Sequence, residues 1–183
     1  TALHTDTVTN VTRRVPLLTA EEARTTIPPG RSRTKPMPFR QPLNDDDLEI
    51  TILNIERGSL KDIEHLISET GLLFAPEVSQ SNHWAVVTLR IRNTGAEDQT
   101  RDYSWIDFNI VGKKGVEYSP ELLVGVKNPL PTDLVGFGKL YGGGEVLGDI
   151  LFGIPRDDSE LVLVYSPNFG FGDSAYLSLT ATD

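Results

Sequence analysis

HWAVVTLRIRNTG, residues 83–95, is the stretch whose pattern decides the fold. Ala85, Val87, Leu89 and Ile91 take one side of a period of two, and Thr88, Arg90 and Arg92 take the other. That is the pattern of a strand with one buried face. Asn93-Thr94-Gly95 supplies the turn chemistry that ends it. The rest of the chain repeats short alternating runs separated by Gly, Asn, Asp and Pro, which predicts an all-β protein with one mostly antiparallel sheet packed on another.

Working outward, Leu48, Ile50 and Ile52 share a face before Leu53 and Ile55 shift the phase by one, so a β-bulge is expected there. Ser59-Leu60-Lys61-Asp62 has the form of a capping box, and Leu60, Ile63, Leu66 and Ile67 fall on one helical face until Gly71, predicting a short inserted helix. Pro76 limits Leu72–Val78 to an edge strand or loop. Tyr103–Val111 reads as one strand, with Ile106, Phe108 and Ile110 inward and Trp105, Asp107 and Asn109 outward. Gly112-Lys113-Lys114-Gly115 turns the chain, and Val116–Tyr118 returns. Residues 120–140 read as a long connection between sheets. Glu145–Ile154 is the next strand, with Val146, Ile150, Phe152 and Ile154 inward. Leu161–Tyr165 is apolar on both faces and therefore central. Ala175–Ala181, with Leu177 and Leu179 inward, closes the sandwich.

Residues 1–47 read differently, as an extended arm preceding a body at 48–183. Thr5, Thr7 and Thr9 alternate with Asp6 and Val8, and Val11 and Val15 follow, so this segment has strand propensity but no strongly apolar face. Leu18 and Thr19-Ala20-Glu21-Glu22 predict a short helix near 19–26, ended by Pro28-Pro29-Gly30. The basic, Pro-rich run to Pro42 reads as a linker or strap laid over a surface, anchored by Met37 and Phe39.

Charge sharpens the division. The chain of 183 residues carries −9 overall, which argues against a nucleic-acid partner. Residues 1–41 hold seven Lys and Arg against three Asp and Glu, net +4, which leaves −13 for the remainder. A basic arm leading an acidic body favours docking of the arm on an acidic surface, its own or a neighbour's. There is no cysteine, so disulfides, thiolate metal sites and a cysteine nucleophile are excluded. No run approaches the roughly 18 apolar residues that would span a bilayer. The chain starts at Thr1 without an initiator methionine, as expected either of a mature chain processed on export or of a trimmed one, and the first of these favours export.

WAVVTLRIRNTG, the Gly-Lys-Lys-Gly turn before Val116-Glu117-Tyr118, GGGEVLGDILFGIPRD and LVLVY together resemble an immunoglobulin-like domain-of-unknown-function family of bacterial and archaeal lipoproteins and secreted proteins. In outline the chain is similar to the mycobacterial secreted immunoprotective antigen. The resemblance covers residues 48–183, and its most specific part pairs Asn93-Thr94-Gly95 with Gly144-Glu145-x-x-Gly148 and Phe152-x-Ile154-Pro155. It implies an immunoglobulin-like antiparallel β-sandwich and a non-catalytic module located extracellularly or at the cell surface. A lipobox cysteine is absent, and the basic arm is not a family hallmark.

Candidate chemistry is sparse. Asp45, Asp46 and Asp47 are the densest carboxylates and the weak candidates for a calcium site, although their spacing is not that of an EF-hand, and a solvated turn is the simpler reading. Gly170-Phe171-Gly172-Asp173-Ser174 lacks a nucleophile elbow, and Gly136-Phe137-Gly138-Lys139 lacks phosphate-loop spacing. His4, His65 and His83 show no ligand spacing. Trp84, Trp105 and Tyr103 read equally as an exposed aromatic face or as core. Asn10-Val11-Thr12 is a glycosylation sequon.

No catalytic constellation emerges, so the expected function is that of an interaction subunit. Its arm would pair with another protein, whether a second copy in a filament or a larger surface complex, through Thr5, Thr7, Thr9, Val11, Arg13, Arg14, Arg31, Arg33, Met37 and Phe39. The motive is physical: an extended segment gains backbone hydrogen bonds only by adding to an open sheet edge. The competing expectation is a solitary binding module for a small ligand, a glycan or calcium.

Overall fold

The computed structural model describes residues 27–63, 82–121, 137–167 and 170–180. The elements are β1 (Leu43–Asp45), β2 (Leu48–Gly58), α1 (Leu60–Ile63), β3 (Asn82–Asn93), β4 (Thr100–Ser104), β5 (Phe108–Val111), β6 (Glu117–Tyr118), β7 (Phe137–Tyr141), β8 (Glu145–Pro155), β9 (Val162–Tyr165) and β10 (Ala175–Ser178). They form a β-sandwich. One sheet has the order β1-β2-β3-β8 and the other β10-β9-β5-β6, with β4 and β7 as a separate antiparallel pair.

The organising strand is β3, paired along its length with β2 on one side and β8 on the other. Its alternation holds: Ala85, Val87, Leu89 and Ile91 are fully buried and face a core shared with Phe108, Ile110, Leu163, Tyr165 and Leu177 of the second sheet. Each of Val87, Leu89 and Ile91 is worth roughly 1.5–3 kcal/mol when its side chain is removed from water. The bulge in β2 falls where the phase shift places it. Ile52 opposes Leu89 and Asn54 opposes Thr88, leaving Leu53 as the extra residue. Half of the capping box forms: Asp62 Oδ2 accepts from the Ser59 N–H at 2.7 Å and from the Ser59 hydroxyl at 2.6 Å, while Asp62 N–H donates to the Ser59 carbonyl at 3.0 Å. The described helix is the single turn Leu60–Ile63, and residues 64–81 lie outside the described residues.

Three expectations change. Tyr103–Val111 is not one strand. Ile106 N–H donates to the Ser104 hydroxyl, a 3₁₀ turn occupies Trp105–Asp107, and the chain passes from β4 to β5 in a different sheet. Three residues per turn break a period of two, so Asp107 is buried rather than outward. The stretch read as a connection, 120–140, runs into an unforeseen strand, β7, whose Phe137, Leu140 and Tyr141 do not alternate with a period of two. Third, the expected boundary between residues 47 and 48 falls in the turn joining β1 to β2, and β1 is part of the first sheet.

The arm from Gly30 onward lies against the body. Met37 N–H donates to the Tyr176 carbonyl, and Ser178 N–H to the Met37 carbonyl, both at 2.8 Å, making a parallel bridge between Met37 and Leu177 on the outer edge of β10. Tyr176 N–H also donates to the Gly30 carbonyl at 2.8 Å. A strap thus caps an edge that would otherwise be open. At the opposite edge of the other sheet, Glu121 N–H donates to the Leu151 carbonyl, and Pro120 bridges Phe152, so β8 is capped as well.

Candidate functional site

Strand directions gather the turns into two clusters. At the end where β3 begins, Asp158 is buried, and its carboxylate accepts from Tyr118 Oη at 2.8 Å, Ser159 N–H at 2.9 Å and Lys114 N–H at 3.3 Å. Burial alone would push this carboxyl up, but the bonds from Tyr118 and the two backbone amides outweigh it and hold the group below its ordinary range. The Tyr118 phenol is pushed up to about 12, by burial first and then by its bond to Asp158. Gly112 lies so close that a Cβ there would overlap the carboxylate. Arg57 donates to the carbonyls of Asp158 and Pro155. The carboxylate faces donors on every side described, which makes it a clasp between turns.

The other end holds the β1–β2 turn, residues 94–99, the β7–β8 hairpin and the β9–β10 loop. Asn93, fully buried, ties two of these together, residues 94–99 and the β7–β8 hairpin. Its Nδ2 donates to the carbonyls of Gln99 and Leu140 at 3.1 and 3.0 Å, and its Oδ1 accepts from Gly95 N–H at 2.9 Å. At the same end, a cleft of about 680 Å³ is lined by residues that include Arg31, Asp45, Asp46, Asp173, Ser174 and Tyr176. The buried Tyr165 phenol is pushed up, by burial first and then by the charges of Asp107 and Asp45.

The predicted cation ligands do not converge. Asp45 pairs with Arg31 and Asp47 with Arg101, each at 2.7 Å, while Asp46 sits at φ +50° in the turn. Among the described residues no group of three carboxylates or histidines is placed to hold a metal ion. The charges of Asp45 and Asp47 are matched by guanidinium groups, which removes the motive for calcium.

Of the residues expected to bind a partner, four are described, and each touches its own body. Arg31 meets Asp45, Arg33 donates to the Gly112 carbonyl at 2.6 Å, Met37 bridges Leu177, and Phe39 packs against the core with the Arg40 guanidinium 5.2 Å from its ring centre. Thr5, Thr7, Thr9, Val11, Arg13 and Arg14, the sequon at Asn10 and the helix expected at 19–26 lie outside the described residues, as do His4 and His65. His83 is half-buried, near Asp62.

The aromatic residues divide. Trp84 is buried, and Tyr103 and Trp105 are half-buried against the core, so the exposed-face reading fails for all three. Among the described residues the exposed aromatics are Tyr141, in the hairpin, and Phe171, 93% exposed in the β9–β10 loop. Sequence reading passed over both. The available signal was their setting: Phe171 stands between two glycines, and Tyr141 precedes three, where no alternating neighbours exist to bury them. Among the described residues no helix is long and apolar enough to cross a membrane.

A family model described as "Domain of unknown function (DUF4352)" matches residues 37–176. Three solved structures are similar. The inferred lipoprotein ycdA of Bacillus subtilis is 14% identical with a TM-score of 0.54, over 78% of this chain and 39% of its own. The yjhA protein of Bacillus subtilis is 16% identical with a TM-score of 0.51, over 79% and 99%. MPT63, a secreted protein of Mycobacterium tuberculosis, is 14% identical with a TM-score of 0.51, over 77% and 94%. The chain therefore spans well under half of ycdA and nearly all of the other two. At these identities the likeness is one of fold. No curated protein matches the chain. The match begins at residue 37, so it takes in Met37 of the strap together with β1.

Proposed function

The chain belongs to the DUF4352 family, and from that premise we propose that it is a non-catalytic extracytoplasmic interaction module whose N-terminal arm docks on a neighbouring subunit. The solved relatives include a secreted protein and an inferred lipoprotein, which supports a place outside the cytoplasm. The polar clusters support a non-catalytic reading: Asp158 is enclosed by donors, and Ser166 and Ser174 pair with each other at 2.9 Å.

The observation that carries the docking role is the main-chain pairing of Gly30 and Met37 with β10. This arm adds to a sheet edge by backbone bonds, as β-augmentation requires. Residues 30–45 are occupied by the body, so Thr5, Thr7, Thr9, Val11, Arg13 and Arg14 are the ones left to meet a partner within a surface complex or filament.

The test is deletion of residues 1–26, which spares the strap. Sedimentation should show a larger assembly for the full chain than for the deleted one, with unchanged circular dichroism. Equal mass for both chains would overturn the reading. A second reading, a module binding a small ligand or glycan, is favoured by the polar cleft at Asp173 and Ser174 beside exposed Phe171. Amide shifts confined to residues 170–176 on titration with glycans would support it.

A further inference from the structure

The strap's contacts need not be made within one chain, and we propose that residues 28–42 exchange between two copies, each pairing with β10 of the other. The proposal rests on the interaction-module reading and names its partner as a second copy of this chain. Everything that holds the strap in place, from the main-chain bonds of Gly30 and Met37 to the Arg31 pair with Asp45 and the Arg33 bond to Gly112, lies between the strap and surfaces that an identical molecule also carries. Exchange keeps all of these and is a low-cost route to a closed dimer.

The hinge favours it. Pro38-Phe39-Arg40-Gln41-Pro42 joins the strap to β1, and Gln41 N–H donates to the Pro38 carbonyl to close a tight turn. Arg40 sits there at φ +63°, a left-handed conformation that a residue with a Cβ adopts at a cost. Arg40 Nε donates to the Leu53 carbonyl at 3.1 Å, and Phe39 of the same turn packs against the core. Leu53 is the bulge residue of β2, so the acceptor is a carbonyl displaced from the regular ladder. Opening the hinge releases the strained φ, and Pro36, Pro38 and Pro42 already favour an extended chain.

The absence of cysteine makes a direct test available. Two full-length variants, Met37→Cys and Leu177→Cys, are mixed at equal concentration, unfolded, refolded together and oxidised. Met37 and Leu177 are bridge partners, so a disulfide between the two different chains reports a strap seated on another molecule's β10. The expected result is a covalent heterodimer whose yield rises with protein concentration. Adding Arg40→Pro to the Met37→Cys chain, which forbids the positive φ, should raise that yield at least about fivefold over adding Arg40→Gly, which relaxes the closed turn. A double variant carrying both cysteines in one chain controls for folding, because it closes on itself when diluted. If the double variant closes but the mixture yields no heterodimer at any concentration, exchange is refuted. The docking reading then still stands or falls on the separate deletion of residues 1–26.

Discussion

Replacing Asn93 tests whether the loop end is held by one side chain. Asn93→Ala removes two donors and one acceptor from a fully buried position, stranding the carbonyls of Gln99 and Leu140 and the Gly95 N–H. A net hydrogen bond is worth about 1 kcal/mol, and a stranded buried group up to about 3, so the three together give a loss of roughly 3–4 kcal/mol, allowing for partial rehydration. With a urea slope of about 2 kcal/mol/M, the unfolding midpoint should fall by about 1.5–2 M. Asn93→Asp sharpens the test, because its shape is nearly the same. One carboxylate oxygen still accepts from Gly95, but the other faces two carbonyl oxygens, so the charged form is disfavoured and its folded pKa is raised. The sign follows: a group with a raised folded pKa contributes its stability below its unfolded value, near 4, and loses it as pH rises through the folded value. Asn93→Asp should therefore approach the parent protein in acid and weaken toward neutral pH. Urea unfolding followed by tryptophan fluorescence reads both variants. A midpoint for Asn93→Ala within about 0.3 M of the parent would refute the assignment of a shared clasp to this residue.

Other consequences are open to measurement. Tyr118, with its pKa raised to about 12, should stabilise the fold fully below pH 10 and lose that contribution between about pH 10 and 12, so Tyr118→Phe should flatten the alkaline limb of the stability profile. Asp158, held below its ordinary range, contributes above its unfolded value and loses the contribution as pH falls below about 4; Asp158→Asn should weaken the acid limb in thermal melts. Deleting Leu53 should leave the register of β2 intact, because Ile52, Asn54 and Ile55 then alternate without interruption, at a cost of about 1 kcal/mol for the lost Arg40 acceptor. Deleting Ile50 instead should unfold the protein by turning the flanking side chains to the wrong face. With Asp45 and Asp47 engaged by Arg31 and Arg101, adding calcium or a chelator should not move the melting temperature.

The candidate site was less legible than the strands for a reason visible in Met37. Its sequence setting, an apolar residue between prolines, marks an anchor but does not say on what. The answer depends on β10 being an edge, which follows from the strand order β10-β9-β5-β6 and from nothing local to residue 37. The same limit applies to Phe171, whose exposure reflects the absence of neighbours that only the assembled molecule can supply. Asn93 was noticed as turn chemistry, yet its role in joining residues 94–99 to the β7–β8 hairpin depends on Leu140, 47 residues away.

What the sequence settled alone was the all-β class, the burial face of β3, the bulge at Leu53 and the contact of Ser59 with Asp62. Each is a local periodicity or a contact within a few residues, and backbone geometry turns such patterns directly into structure. What tertiary structure decided was the split of Tyr103–Val111 between two sheets, the pairing of β4 with β7, the enclosure of Asp158 and the seat of the strap on β10. Those depend on which distant segments meet, and the free energy that selects the meeting is shared across the whole core.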